Sequence, residues 1–394
     1  MDNDALKKIL NSDNHHEVAL KKILNRNRKW RCLYPCCADK SIFSHAISKS
    51  ISLAPLVEKG HLQTIVSRRE NDIKTLQFGS IGVNDATAFN GFCETHDSLF
   101  SILDIEEISN ARSLLLQAYR SVISVCSTES RIAELKHASL NEMDITSIIE
   151  AHVEEYPWLQ EEQGKTFFMT EYAKVVESVS RRANQVMQLP EQLLAKLEII
   201  DEVPLDGFSV VSTEQLSHHI VFRRLGFRIP AALNTVLSIV EGGDMALDFF
   251  FTVIPYEQST LVMGIAPKES KQWLLDRLMQ GFSSDIAALN LVESIMSCSN
   301  DWYMTPSVLV EMPTEKRDVF LHDSTFINEQ RFYEDYDMTL FDSLRRSIAQ
   351  QYPEQKAELK LDKIGMIPQR ESYDIRQKRM MDALVSQTAK LRDL

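Results

Sequence analysis

Four of the six cysteines of this chain stand at positions 32, 36, 37 and 93, and His96 follows the last of them by three residues. Thiols so placed constrain the fold more than any hydrophobic pattern, because they can act together only if the intervening backbone turns back on itself. The stretch Cys32-Leu33-Tyr34-Pro35-Cys36-Cys37 sets cysteines four and five positions apart around a proline. That is the size of a knuckle whose turn brings two thiolates to one metal ion. Cys93 and His96 lie in Asn90-Gly91-Phe92-Cys93-Glu94-Thr95-His96-Asp97, and their spacing puts them on one face of a helical turn. A structural zinc ion takes four such ligands in a tetrahedron. Cys32, Cys36 or Cys37, Cys93 and His96 are therefore the expected ligands of Zn2+.

Clustered cysteines also serve in disulfide frameworks, which need an oxidising compartment. The chain opens Met1-Asp2-Asn3-Asp4 without the apolar core of a signal peptide, and no run approaches the roughly 18 apolar residues of a membrane span. A cytoplasmic protein without membrane contact is the expectation, and there thiols stay reduced. Cys126 and Cys298 lie alone in apolar helical surroundings and read as core residues, since a free cysteine packs as a small hydrophobe.

The 394 residues are enough for two or three domains. A hydrophobic share of 44% with 25% charged residues excludes a disordered or fibrous chain. The net charge of −13 argues against a nucleic-acid binder that uses its whole surface. Residues 1–31 run the other way, with eight Lys or Arg against four acids. There, Ala5-Leu6-Lys7-Lys8-Ile9-Leu10-Asn11 recurs fourteen residues later as Ala19-Leu20-Lys21-Lys22-Ile23-Leu24-Asn25, a spacing that returns apolar residues to one helix face. Basic amphipathic helices over 1–31 are expected, either packed on the body or turned toward nucleic acid.

Between Trp30 and about Phe100 the helical period disappears, and glycines and prolines punctuate short strand-like runs such as 62–66 and 75–78. Helices are expected over 105–140, 144–156 and 165–200, with Pro157 and Pro190 at breaks or first turns. Runs at 208–211, 219–222, 249–254 and 260–265 read as a buried sheet, and Gly242-Gly243-Asp244 as a turn. A helix over 270–297, a strand over 307–311 and further helices follow, the last a charged amphipathic helix over 374–394. The expected class is α+β. It divides into basic helices (1–31), a zinc module (32–103), a helical region (104–203) and a β-rich α+β region with C-terminal helices (204–394).

A knuckle, then His45 in Ser41-Ile42-Phe43-Ser44-His45-Ala46, then Asn90 shortly before a Cys-x-x-His turn is an order that resembles the treble-clef HNH (ββα-metal) nucleases over about residues 30–100. The resemblance implies that His45 is the general base activating water and that Asn90 orients the active loop. It also implies a catalytic Mg2+ or Mn2+ held by Asp97 or His61 once His96 is spent on zinc. A nuclease or nuclease-like effector would then grip nucleic acid through the basic N-terminal segment while the larger C-terminal region senses a partner or regulates access, a small effector module on a large domain that would suit bacterial defence. Two other readings stand beside it. In one, zinc only folds a loop-rich module, and residues 204–394 recognise a protein partner. In the other, an enzyme site lies in the β-rich region near His218-His219 or Asp244, although neighbouring residues of a strand point to opposite faces.

Overall fold

The computed structural model describes residues 25, 29–70, 73–138, 149–150, 153–154, 157–239, 246–356 and 358–380. The repeat over 1–31 lies largely outside these residues, as do most of the 144–156 segment, Gly242-Gly243-Asp244 and the chain beyond 380. The protein is α+β, and its residues form two compact units. The first comprises residues up to 46, 88–103 and 110–202; the second comprises 47–87, 104–109 and 203 onward. This division differs from the expected boundaries. Residues 47–87 belong to the second unit, and the rest of the expected zinc module, 32–46 and 88–103, shares one unit with 110–202.

In the first unit, β1 (Phe43–His45) pairs antiparallel with β4 (Ala88–Asn90) in a two-stranded ribbon. A four-residue helix follows, α1 (Glu94–Asp97), which runs into a 3-10 stretch over Ser98–Asp104. The long helix α2 (Ala111–Ala138) starts later than its apolar run implies. Asn110 caps it: its Oδ1 accepts from the Ser113 N–H at 2.8 Å, and Ser113 Oγ accepts from the Asn110 N–H at 3.2 Å. This reciprocal pair satisfies donors that a helix start leaves open. The second long helix, α3 (Glu162–Leu197), is entered through a 3-10 turn beginning at Pro157. Pro190, expected at a break, lies inside α3 instead. Bonds from Arg112 to the Leu197 carbonyl and from Cys126 to the Val186 carbonyl show that α2 and α3 run antiparallel.

The second unit is built on an antiparallel sheet of eight strands in the order β3-β2-β10-β7-β8-β9-β6-β5. The strands are β2 (His61–Glu70), β3 (Ile73–Gly82), β5 (Phe208–Val211), β6 (His218–Leu225), β7 (Ala231–Ile239), β8 (Leu247–Pro255), β9 (Thr260–Pro267) and β10 (Trp302–Met304). Burial of both faces explains why β8 and β9 read as unbroken apolar runs rather than alternating ones. One face, with Val221, Phe249, Phe251 and Val262, packs against α4 (Gln272–Gly281) and α5 (Asp285–Ser297) through Leu274, Leu278, Leu289 and Val292.

The expected single helix over 270–297 is two helices, because Ser284 starts a new one by accepting from the Ala287 N–H at 3.1 Å. The segment 307–311, expected as a strand, is the helix α6 (Pro306–Glu311), with Pro306 in the first turn. Proline's fixed φ suits that position and its missing N–H costs nothing there. Two further helices, α7 (Thr314–Thr325) and α8 (Asp342–Gln351), complete the unit, and residues 373–380 are helical.

Candidate metal centre

The knuckle sits at the tip of a short hairpin. Ser41 N–H donates to the Trp30 carbonyl at 2.7 Å and Cys32 N–H to the Asp39 carbonyl at 2.9 Å. Within the tip, Cys37 N–H donates to the Tyr34 carbonyl at 3.1 Å, and Cys36 takes a left-handed φ of 59°. That turn swings Cys36 out to solvent and Cys37 inward. The sequence left open which of the two binds; the geometry selects Cys37, and Cys36 lies outside the cluster.

The second half-site is laid alongside the first by backbone pairing. Leu33 N–H donates to the Gly91 carbonyl at 2.9 Å and Ile42 N–H to the Phe92 carbonyl at 2.6 Å. Gly91 is required here, because a Cβ would sit 2.2 Å from the Phe89 ring. Phe92 is fully buried, with its ring 4.9 Å from Phe100 and 5.9 Å from Tyr119. Cys93, the next residue, stands at the N-terminus of α1 and places His96 one turn on.

The ligand atoms of Cys32, Cys37, Cys93 and His96 all lie within 4.8 Å of one another. Cys37 Sγ is 3.9 Å from Cys93 Sγ, and His96 Nδ1 is 3.6 Å from Cys32 Sγ and 3.2 Å from Cys93 Sγ. A zinc ion with Zn–S bonds of about 2.3 Å spans a tetrahedron whose sulfurs are about 3.8 Å apart, so the donor set fits the ion. Burial pushes the Cys32 thiol up to about 11, while N–H bonds from Cys93 and Tyr34 work against it. A bound cation would supply the charge that keeps such thiols deprotonated, and the four bonds would cross-link knuckle to helix.

Three groups that sequence reasoning missed hold this arrangement. Tyr34 stacks on the His96 ring, with centroids 3.8 Å apart and planes 6° from parallel. Arg131 of α2, 1% exposed, donates through Nη2 to the Arg31 carbonyl and, at 3.3 Å, to the Asn90 carbonyl. Its guanidinium lies 5.0 Å over the Trp30 ring. Tyr119 places a buried phenol among Phe92 and Phe100, and burial raises it far above the usual tyrosine range, with the nearby Tyr34 and Cys32 adding to the effect. An arginine and a tyrosine on the apolar face of a long helix were the signal available, though neither announces which segment it grips.

The residues assigned by the nuclease resemblance are only partly drawn together. The register sets His45 opposite Ala88 and Phe43 opposite Asn90, so His45 and Asn90 lie diagonally on one face of the ribbon. His45 is half-buried and Asn90 buried. Asp97 ends α1, half-buried, with Oδ1 enclosed and without a hydrogen-bond partner. His61 belongs to the other unit, where its Nδ1 is 2.9 Å from the Lys59 carbonyl. Among the described residues, the only group of three or more Cys, His, Asp or Glu placed to hold an ion is the Cys3His cluster. His218 and His219 bond to different hydroxyls, Ser217 and Ser212, and form no site together. No described helix is long and apolar enough to cross a membrane. Comparison with protein families, curated proteins and solved structures finds no match to this chain.

Proposed function

We propose that this chain is a zinc-stabilised binding protein whose Cys3His centre folds the module that carries it. The reading rests on one observation, the convergence of Cys32, Cys37, Cys93 and His96 from two segments some sixty residues apart onto a space that a tetrahedral ion fills. The hairpin, a two-stranded ribbon and a one-turn helix are too small to build a core of their own, and a metal cross-link substitutes for that core. The acidic balance of the chain, −13 overall, favours a protein partner over nucleic acid. The 204–394 region is the surface assigned to that partner. Metal analysis of protein purified without chelator tests the centre: one zinc per chain is expected, and its absence would overturn the reading. Cys93→Ser should abolish zinc binding and open residues 30–46 and 88–103 to protease. Affinity capture through 204–394 tests the partner, with nucleic-acid affinity expected to stay weak.

A second reading, a metal-dependent nuclease of the HNH kind, is favoured by the shared ribbon face of His45 and Asn90 beside Cys93. In it, His45 would serve as the base toward water, and Asp97 would hold a Mg2+ or Mn2+ ion whose charge would stabilise the leaving oxygen. The basic segment within 1–31 would hold the phosphate backbone. His45→Ala should then abolish Mg2+- or Mn2+-dependent cleavage while leaving zinc bound. Cleavage that survives the substitution removes His45 as base.

A further inference from the structure

The three sulfurs of the centre are not equivalent. Cys32 is 5% exposed and accepts two backbone N–H bonds, from Tyr34 at 3.4 Å and Cys93 at 3.3 Å. Cys93 is 4% exposed. Cys37 lies at the rim, half-buried, and among the described residues no N–H donates to its sulfur. Its neighbours include Cys93 Sγ at 3.9 Å and the Asp39 carboxylate at 3.7 Å, with Cys32 Sγ within 4.8 Å but more deeply buried and held by its two N–H donors. Hydrogen bonds withdraw charge from a thiolate and burial blocks approach to it, so the least buried of the three sulfurs, which also accepts no N–H bond, is the reactive one. Cys36, exposed next door, lies outside the cluster and offers an internal control.

We infer that Cys37 is an oxidation site through which a hydroperoxide opens the metal centre. The inference rests on the zinc reading above and gives that centre a means of regulation. Cys37 Sγ attacks the terminal oxygen of the peroxide; the O–O bond breaks, and the departing alkoxide or hydroxide takes a proton from solvent. Cys37 becomes a sulfenic acid. Cys93 Sγ then attacks the Cys37 sulfur, an S–S bond forms, and hydroxide leaves as water after taking a second proton. Two electrons pass from the two sulfurs to the peroxide oxygen, and the products are a disulfide, an alcohol or water, and one further water. Cys32 and His96 are left as the remaining ligands, two short of a structural zinc site.

The test uses the full-length, zinc-loaded protein with hydrogen peroxide as oxidant and a chromogenic chelator reading free zinc. We expect zinc release coupled to a Cys37–Cys93 disulfide, located by fragmenting the linked peptide that carries residues 32–40. Cys36→Ser should release zinc at the same rate to within about twofold, because its thiol takes no part. Cys37→His keeps four ligands and should slow release by about tenfold or more. A sulfenic-acid reagent applied to the wild type under limiting peroxide gives a second measurement that does not depend on the variant loading, and its label must fall on Cys37. Label on Cys32, Cys36 or Cys93, slowed release in Cys36→Ser, unslowed release in a loaded Cys37→His, or zinc retained after full peroxide treatment would each overturn the inference. Protein that carries no zinc before peroxide is added defeats the zinc reading itself, and the switch with it.

Discussion

The thiol of Cys126 on α2 donates to the carbonyl of Val186 on α3 at 3.3 Å. Val186 lies four residues before Pro190, which has no N–H to return to that carbonyl. Both Cys126 and Pro190 are buried, so water cannot fill the gap. The neighbouring helix thus supplies the donor that the proline removes, and α3 continues through it to Leu197. Cys126→Ala should destabilise the protein by about 1–3 kcal/mol, the cost of leaving a buried acceptor unmade plus a small void. Cys126→Ser should cost less. In a Pro190→Ala background the Val186 carbonyl regains an N–H, and the Cys126→Ala penalty should shrink. Urea titration of the wild type, Cys126→Ala, Pro190→Ala and the double variant decides it: an unchanged penalty would mean that the thiol acts by packing alone.

This pair also shows where sequence reading stops. Cys126 was legible as a core residue by its own chemistry, whereas Pro190 read as a break or first turn and lies inside α3. That one repairs the other is a tertiary fact, invisible without knowing that α2 and α3 lie side by side. The Cys3His cluster was legible for a different reason: Cys-x-x-His fixes geometry within a single turn, and a knuckle does so within six residues. The choice between Cys36 and Cys37 was not, because it depends on which residue takes the left-handed turn. The split of the expected 270–297 helix was written at Ser284, a strong N-cap, but the apolar period on either side masked it. The short central strand Trp302–Met304 had no signal of its own; it is held by its neighbours, with Thr64 Oγ1 donating to the Trp302 carbonyl at 2.7 Å.

Arg131 joins the two halves of the Cys3His cluster, since its carbonyl partners Arg31 and Asn90 immediately precede Cys32 and the Gly91-Phe92-Cys93 stretch. Removing it leaves two carbonyls without this donor and the Trp30 ring without its cation. Arg131→Met, close in volume, should cost about 2–4 kcal/mol. It should also weaken zinc affinity about tenfold or more, because part of the binding energy must then order the half-sites. Arg131→Lys keeps the charge but not the two-pronged reach and should fall between. Competition with a chelator of known affinity, read beside a thermal melt, checks both quantities. Zinc affinity left at the wild-type value would confine Arg131 to general stability.

Tyr34 covers His96 at stacking distance, fixing the ring plane so that Nδ1 faces the three sulfurs. Tyr34→Phe retains the ring and should bind zinc as the wild type does. Tyr34→Ala should weaken binding by about 0.5–1.5 kcal/mol, the usual worth of an aromatic pair. The same competition measurement applies, and equal affinities for Phe and Ala at position 34 would show that the stack does not orient the ligand.

His218 gives the protein a predictable acid sensitivity. Burial lowers its imidazole from 6.5 to about 4, with His219 and Lys268 adding to the effect and Asp248 opposing it. The ring, hydrogen-bonded to Ser217 Oγ at 2.8 Å and set edge-on to Phe250, therefore stays neutral in the native state. In the unfolded chain the same imidazole takes up a proton as pH falls through 6.5. Between those two values the unfolded state binds the extra proton, so stability falls as pH is lowered and the loss levels off below about 4. His218→Gln cannot titrate and should lose less stability than the wild type between pH 7 and pH 4, by urea unfolding at each pH. A proton NMR titration of the ring gives the direct reading: a midpoint near 6.5 in the folded protein would show that burial does not hold His218 neutral and would remove this source of acid sensitivity.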